Sequence, residues 1–309
     1  MPEVIKNTKS YIDLYLKPLK NYLRMEDVIE VSMQEPKIVF LKRNDGKISE
    51  PIFNGKLTSK WFNDFTNSMS SITGEKNNCN MSFNIPIYGY RCQVVKDGFT
   101  ENDFLLSIRI PNAEIFKIDD FDINEQDKEE IINAVRGKKT ILISGGTGTG
   151  KTSFLNCLAN NYIELYETLV VIEQVKEIIL EDHHIVKKIF FKEYIKKGED
   201  AIDAATAVNI SLRLLPDRII MGEIRKENSF PFLRAINTGH EGSIATIHAN
   251  DPESAIQALK MNVIMNGDAV EGAINILDQE IRRNIFGVVQ LQRIKDQKKI
   301  KGYFKKLNQ

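Results

Sequence analysis

The chain has 309 residues, of which 42% are hydrophobic and 27% charged, so it can form two globular domains with ordinary cores. Lys plus Arg and Asp plus Glu number 42 each, and this balance does not indicate a globally basic nucleic-acid binder. The three cysteines form no C-x-x-C pair, which argues against a disulfide framework or a four-cysteine zinc site. We expect neither a signal peptide nor a membrane-spanning segment, and a reducing cytoplasmic location.

Residues 1–111 are predicted to form a smaller α+β domain in which antiparallel strands predominate. Apolar residues at helical spacing open it, and a second helix is predicted at Ser59–Ser71. The predicted strands are Val28–Met33, Lys37–Lys42, Lys47–Phe53, Met81–Ile85, Tyr90–Lys96 and Phe104–Ile110. Asn-Asp-Gly at 44–46 is typical of a hairpin turn between the second and third of these strands.

The composition then changes, and residues 112–124 are predicted to be a solvated linker. Lys117–Glu130 carries seven acidic residues against two lysines and leads into a helix. From 125 to 309, helical stretches alternate with short apolar strands, which predicts an α/β domain with a parallel sheet covered by helices. The predicted elements are strands Lys139–Ser144, Thr168–Ile172, Arg218–Met221 and Ser243–Ile247, helices Asp200–Leu214, Pro252–Met265 and Ala269–Arg283, and a closing hairpin of Phe286–Ile294 with Lys299–Lys305.

A glycine-rich loop between a strand and a helix predicts an ATP site. The loop is Gly145-Gly146-Thr147-Gly148-Thr149-Gly150-Lys151-Thr152, and a helical run starts at Ser153. Glycines permit positive φ angles, so that successive N–H groups and the helix N-terminus can surround phosphate oxygens. Lys151 is expected to reach the β and γ phosphates, and the Thr152 hydroxyl is expected to bind Mg²⁺. The strand and helix that flank the loop argue against a chance glycine-rich turn.

Two apolar strands end in carboxylates, as hydrolysis at a phosphate-binding loop requires. Glu223 follows the strand Arg218–Met221 and is the predicted Mg²⁺ carboxylate at the carboxyl edge of the sheet. Glu173 is the candidate that orients and deprotonates the attacking water, with Glu177 as a weaker substitute. A solvated glutamate at a strand end is the alternative interpretation, which the neighbouring loop disfavours.

The histidines indicate a functional role less specifically than the glutamates do. His240 and His248 are candidates for hydrogen bonding to a γ-phosphate, and two unconnected histidines are the alternative. His183 and His184 are interpreted as part of a polar loop, since no further metal ligand has suitable spacing.

Together these motifs resemble the secretion-superfamily ATPases, and most closely the hexameric traffic ATPases of type IV secretion and conjugation systems. Leu212–Arg225 is similar to the family stretch L-R-x-R-P-D-R-I-I-x-G-E-x-R. Gly239–Ala249 resembles the family's histidine box, and Ile172–Glu177 its acidic box I-E-D-x-x-E. Tyr90–Val94 and Ser107–Pro111 are similar to the family's G-x-R-V-Q and S-I-R-x-P strands, so the resemblance covers nearly the whole chain.

The resemblance implies a RecA-like ATPase domain and assigns further roles. Arg91 and Arg109 would stabilise charge developing on the γ-phosphate, and His240 and His248 match the family's histidines. Two positions depart from the family pattern: Gln174 replaces an Asp, and Leu215 replaces an Arg. These departures are expected to weaken the positioning of Mg²⁺ or water and to remove one phosphate or interface contact, so that hydrolysis is retained but slow.

The function implied by the resemblance is ATP hydrolysis by a homo-hexamer that powers substrate export or pilus assembly. Such an ATPase would dock from the cytoplasm on the inner membrane, against other components of the secretion machine. Three alternatives stay open: a type II secretion or pilus extension or retraction ATPase, a non-hydrolysing nucleotide-gated scaffold, and a nucleic-acid motor. The last rests on the basic segment Gln292–Gln309, which is also typical of a solvated edge hairpin. The cargo is not indicated by the sequence.

Overall fold

The computed structural model describes residues 3–111, 115–192, 195, 201–268, 274–294 and 300–307. The chain divides into two compact units, Met1–Asn112 and Ala113–Gln309. Among the described residues, no helix is both long and apolar enough to cross a lipid bilayer.

The amino-terminal unit is a six-stranded antiparallel sheet with helices on one face. The helices are α1 (Glu3–Leu16), α2 (Lys20–Leu23) and α3 (Ser59–Thr73). The strands are β1 (Val28–Met33), β2 (Ile38–Arg43), β3 (Ile52–Phe53), β4 (Asn80–Ile85), β5 (Tyr90–Val95) and β6 (Leu105–Arg109), in the order β3-β2-β1-β6-β5-β4. Alternate strand residues and the inner faces of the helices form one apolar core. This agrees with the predicted α+β class.

Local signals explain where these elements begin and end. The Thr58 hydroxyl accepts a hydrogen bond from the Trp61 amide at 3.2 Å and caps α3, and Gly74 ends that helix with a φ of 75°. The strand predicted at Lys47–Phe53 is interrupted in the structure, where Ile48 forms an isolated bridge to Lys42 and Ile52 and Phe53 pair with β2 as a short strand. Pro51 precedes this pair and has no N–H for a longer ladder.

The carboxyl-terminal unit is an α/β layer structure, as predicted. Its strands are β7 (Phe121–Asp122), β8 (Ile141–Gly145), β9 (Thr168–Glu173), β10 (Ile185–Phe190), β11 (Arg218–Met221), β12 (Ile244–Ile247), β13 (Gly287–Arg293) and β14 (Ile300–Lys306), in the order β10-β9-β11-β12-β8-β13-β14-β7. All neighbouring pairs are parallel except β13 with β14, which form the predicted antiparallel hairpin.

Helices cover both faces of this sheet and bury two apolar layers. The helices are α4 (Glu125–Arg136), α5 (Lys151–Tyr162), α6 (Ala204–Ser211), α7 (Lys226–Ile236), α8 (Pro252–Met265) and α9 (Ile274–Asn284). Helices α4 and α5 lie on the face that contains Ile141 and Ile143, and α6 to α9 lie on the face that contains Leu142. Strand residues therefore alternate between two buried layers, which explains their nearly continuous apolar runs.

Some elements differ from the sequence predictions. The predicted linker at 112–124 contains structured residues, since Ile118–Asp120 form a 3-10 turn and Phe121 pairs with Ile300. Strand β10 follows the predicted polar loop at His183 and His184 and was not predicted. The helix predicted at Asp200–Leu214 begins at Ala204, because Asp203 caps it by accepting the Thr206 amide at 2.7 Å. Residues 196–200, 269–273 and 295–299, which include ends of predicted elements, lie outside the described residues.

A buried ion pair holds the amino-terminal ends of β9 and β11 together. The Arg218 guanidinium donates to Glu167 through Nε at 2.8 Å and through Nη2 at 2.9 Å. It also donates to the Val135 carbonyl at 2.7 Å, and only 1% of Arg218 is exposed. Burial alone would raise the pKa of Glu167, but the hydrogen bonds and charges of Arg218 and Lys138 outweigh it and lower that pKa.

Leu215 is held in a backbone conformation that leucine rarely adopts. Its φ is 49° and its side chain is 85% exposed, so little packing compensates for the left-handed geometry. Asparagine tolerates this conformation better, and Leu215→Asn is expected to raise the free energy of unfolding by about 1 kcal/mol. Urea denaturation of the full chain checks this. The neighbouring Leu214→Asn serves as the control and should be destabilising, because Leu214 packs against the apolar layer of α6 to α9.

Candidate functional site

The glycine-rich loop has the backbone geometry that phosphate binding requires. It connects the end of β8 to the start of α5, and Gly148 and Gly150 have φ angles of 74° and 82°. A Cβ atom on Gly145 would lie 2.7 Å from the Leu291 carbonyl oxygen, a backbone atom, so a larger residue there would displace the loop. At Gly150 a Cβ atom would meet the flexible end of the Ile300 side chain, and it is the positive φ that favours glycine.

Lys151 lies inside the loop rather than on the surface. Its Nζ donates to the carbonyls of Gly145 at 2.9 Å and Gly146 at 2.8 Å, and it is 3.2 Å from Nδ1 of His248. Only 8% of Lys151 is exposed. The ammonium therefore has a fixed position at the carboxyl edge of the sheet, where the predicted phosphate site lies.

His248 connects Lys151 to Glu223. Burial, followed by the charge of Lys151, lowers the pKa of His248, so the imidazole is neutral at physiological pH. Because Nδ1 faces the Lys151 ammonium, the ring proton belongs on Nε2, which lies 3.4 Å from Glu223 Oε1. Arg225 Nε lies 3.4 Å from the same oxygen. The predicted residues Lys151, His248 and Glu223 are thus brought together, and Arg225, which had no assigned role, joins them.

The two carboxylates of the acidic box have different environments. Glu177 Oε2 accepts a hydrogen bond from the Thr152 hydroxyl at 3.3 Å, so the predicted substitute is the residue that faces the loop. Glu173 is 2% exposed, and its Oε1 accepts the amides of Glu177 at 2.8 Å and Ile178 at 2.6 Å. Burial raises the pKa of Glu173 to about 7. Its Oε2 is buried and has no hydrogen-bond partner among the described residues. Glu177, and not Glu173, is thus the carboxylate that contacts the Thr152 hydroxyl, and the choice of Glu173 as the base stays a prediction.

Three predicted site residues are not brought to this group within the carboxyl-terminal unit. His240 precedes β12 and contacts the Ala235 carbonyl at 3.2 Å, whereas His248 follows the same strand, so the two histidines lie at opposite ends of it. Arg91 and Arg109 belong to the amino-terminal unit, where they are directly opposite each other on β5 and β6. Glu30 lies opposite Arg109 on the other side. Like charges paired in this way destabilise a sheet, and Glu30 beside Arg109 offsets part of that repulsion.

The remaining residues singled out by the sequence have defined places. Gly146, Thr147 and Thr149 form the body of the loop, and the Thr149 hydroxyl donates to the Gly146 carbonyl at 2.9 Å. Thr152 and Ser153 lie in the first turn of α5. Gln174 is half-buried in the turn after β9, and Leu215 lies next to the amino-terminal end of β11, away from the loop.

A parallel sheet with this strand order, and with a glycine-rich loop, Lys151 and a carboxylate at its carboxyl edge, defines a RecA-like P-loop ATPase fold. The predicted fold class is therefore confirmed. Residues 100–303 match the family described as Type II/IV secretion system protein. The chain belongs to this family, which confirms the resemblance seen in its motifs.

Similar proteins support the assignment of the chain to this family. The chain is 28% identical to a probable conjugal transfer protein TrbB of Sinorhizobium fredii over 69% of its length and 67% of the relative's. It is 32% identical to the type IV secretion system protein VirB11 of Brucella suis over 51% of its length and 43% of the relative's, so it spans less than half of that protein. The ATPase DotB of Legionella pneumophila shares the fold, with a TM-score of 0.66 and 17% identity over 90% of this chain and 76% of that one.

Proposed function

We propose that this chain hydrolyses ATP with Mg²⁺ and powers substrate export or pilus assembly in a type IV secretion or conjugal transfer system. The observation that carries the proposal is the convergence of Lys151, His248 and Glu223 beside the loop, with Glu177 at Thr152. The family and the conjugal and type IV relatives support the kind of machine. The chain would act as a ring of six copies, docked on the cytoplasmic face of a bacterial inner membrane against other components of the machine.

Each residue of the group has a chemical task in this proposal. Backbone N–H groups of Gly145–Ser153 and the Lys151 ammonium would bind the β and γ phosphates. The Thr152 hydroxyl and Glu223 fit an oxygen-ligand site for Mg²⁺, which when bound would offset negative charge on the phosphates. Glu177 would orient and deprotonate the attacking water in place of Glu173. Neutral His248 would donate its Nε2 proton to a γ-phosphate oxygen. By the family resemblance, Arg91 and Arg109 would stabilise the transition-state charge.

The proposal is tested by steady-state ATPase assays of the wild type and of Glu223→Gln, with light scattering to measure assembly size. The wild type is expected to hydrolyse ATP as a ring of about six copies. The variant should bind MgATP but lose activity by about 100-fold or more, because the carboxylate that holds the metal is removed. Glu227→Gln, four residues further along, is the control and should keep full activity, because the Glu227 carboxylate lies 3.6 Å from the Lys226 ammonium and not in the group around Lys151.

Other outcomes would replace the proposal. If the wild type binds ATP tightly but does not turn over, a nucleotide-gated scaffold becomes the better interpretation. If turnover depends on added DNA, and this dependence falls steeply with salt, a nucleic-acid motor takes its place.

A further inference from the structure

The turn between Glu173 and Ile178 is held by side chains on two sides. Glu173 Oε1 accepts the amides of Glu177 and Ile178 at 2.8 and 2.6 Å. On the other side, Lys188 Nζ donates to the Ile178 carbonyl at 2.5 Å. The backbone of residues 177 and 178 is thus fixed by one buried carboxylate and one ammonium. The turn that they fix presents Glu177 to the Thr152 hydroxyl.

Lys188 reaches this turn because of the register of the sheet edge. Strand β10 runs parallel to β9, with Lys188 beside Val171 and Phe190 beside Glu173. Since side chains two residues apart share a face, Lys188 and Glu173 lie on the same face of the sheet, the one covered by α5. Burial lowers the pKa of Lys188, while the charge of Glu173 opposes that shift. Lys188 is half-buried, and its ammonium is held by the Ile178 carbonyl.

We propose that Lys188 is a positioning residue for hydrolysis, acting with Glu173 through the turn to hold Glu177 at Thr152. This inference rests on the proposed ATPase function, but it makes a separate claim about one side chain. Lys188 itself would not contact the phosphates. It contributes by restricting the turn, because a small displacement of Glu177 would misplace the attacking water.

The same strand supplies a matched control. Lys187 precedes Lys188 on β10 and therefore lies on the opposite face of the sheet. Its Nζ also donates to a loop carbonyl, that of Leu214 at 2.6 Å. Replacing either lysine removes one charge and one hydrogen bond of the same kind from the same strand. Only the bond made by Lys188 leads to the acidic turn.

The first experiment compares the kinetics of Lys188→Met, Lys188→Arg and Lys187→Met in the full chain. Lys188→Met is expected to lower kcat by about 10-fold and to leave KM for ATP within about 2-fold, since positioning of the water and not nucleotide binding is impaired. Lys188→Arg should recover most of this loss, and Lys187→Met should match the wild type. The inference is overturned if the two methionine variants have the same kcat.

The second experiment needs no hydrolysis and follows the amide resonances of Glu177 and Ile178 by NMR as the pH is varied. These amides donate to Glu173, so their shifts report its ionisation, with a midpoint near the raised pKa of about 7. The charged groups that act on Glu173 are Lys188 from β10 and Glu177 from the turn, while Lys176 acts on Lys188. Because Lys188 favours the carboxylate, Lys188→Met should move the midpoint to higher pH, and Lys187→Met should not.

The outcomes separate the two claims. A wild type without ATPase activity overturns the proposed function, while the amide titration still tests the tie between Lys188 and the turn. An active wild type that Glu177→Gln inactivates and Lys188→Met leaves unchanged overturns this inference alone. If thermal melting shows that Lys188→Met does not fold, Lys188→Gln is carried through both measurements, with the same results expected.

Discussion

Replacing Arg218 with methionine is expected to lower the free energy of unfolding of the carboxyl-terminal unit by about 3–5 kcal/mol, the largest stability effect of any substitution considered for this chain. The reason is that Glu167, which is 3% exposed, would lose its bidentate partner and keep a buried charge. Lys138 Nζ remains 3.1 Å from Glu167 and offsets part of the loss. Urea denaturation followed by circular dichroism measures the change.

Two further variants make this expectation specific. The double variant Arg218→Met with Glu167→Met should recover most of the stability, because no unpaired charge is left in the interior. Arg282→Met is the surface control. It removes contacts to Glu253 and Asp278, but its side chain is 32% exposed, so the cost should be under about 1 kcal/mol. If Arg218→Met and Arg282→Met were equally mild, the buried pair would not have the structural role assigned to it.

The same pair predicts the direction of the response to acid. The folded-state pKa of Glu167 is lowered. The ionised carboxylate therefore stabilises the folded state at every pH above the ordinary glutamate pKa of about 4.3. That contribution is lost as the pH falls through the lowered folded-state value. In Arg218→Met burial should raise the pKa of Glu167, so protonation on acidification removes the unpaired buried charge, and the difference in free energy of unfolding between wild type and variant should shrink as the pH falls. Urea denaturation curves recorded from pH 7 down to pH 3 check this convergence.

Glu177→Gln is expected to lower kcat by about 100-fold or more while MgATP still binds, an effect as large as the one expected for Glu223→Gln. The amide keeps the size of the side chain and can still contact Thr152, but it cannot accept a proton from water. Single-turnover hydrolysis and equilibrium binding of a fluorescent nucleotide separate the two steps. Glu181→Gln, four residues further along and exposed, is the control and should be active.

The comparison with Glu173→Gln decides between the two carboxylates. The Glu173 side chain is directed into the turn, so its amide variant should reduce kcat by only about 10-fold and should lower the melting temperature as well. If Glu173→Gln were inactive and Glu177→Gln active, the sequence-based choice of Glu173 as the base would stand and the assignment from the contacts would be wrong.

The loop and its carboxylates could be predicted because their physical requirements are local. A glycine-rich segment that ends in Gly-Lys-Thr between an apolar strand and a helix is specific for binding nucleotide phosphates, and the carboxyl ends of parallel strands meet at one edge. Glu223 lies at the carboxyl end of β11, where this rule predicts it, and its role as a Mg²⁺ ligand stays a prediction. The choice between Glu173 and Glu177 could not be made in the same way, because it depends on which carboxylate folds back onto the turn. The direction of each carboxylate depends on a few hydrogen bonds, and no periodicity in the sequence predicts them.

Features that depend on distant partners were missed for the same reason. Strand β10 has a composition typical of a strand, with Ile-Val before Lys187 and Lys188 and Ile-Phe after them, but it was not predicted. It is a strand because β9 offers an edge to pair with, and because both lysines donate to loop carbonyls. From the sequence, Arg218 was identified only as part of the family-like stretch Leu212–Arg225. Its buried partner Glu167 lies in a different segment, and no spacing rule connects the two.

Strand β8 leads into the glycine-rich loop, and its position in the sheet affects the order in which the chain can fold. Strand β8 lies between β12 and β13, and Gly145 pairs with Leu291, which is synthesised much later. An amino-terminal fragment that ends before β13 would carry the complete phosphate-binding sequence beside an open sheet edge. Parallel pairing over such a separation is slow, because the connecting chain must be ordered before the contacts form. The nucleotide site should therefore be among the last parts of the molecule to mature, and nucleotide added during refolding should accelerate only the final phase.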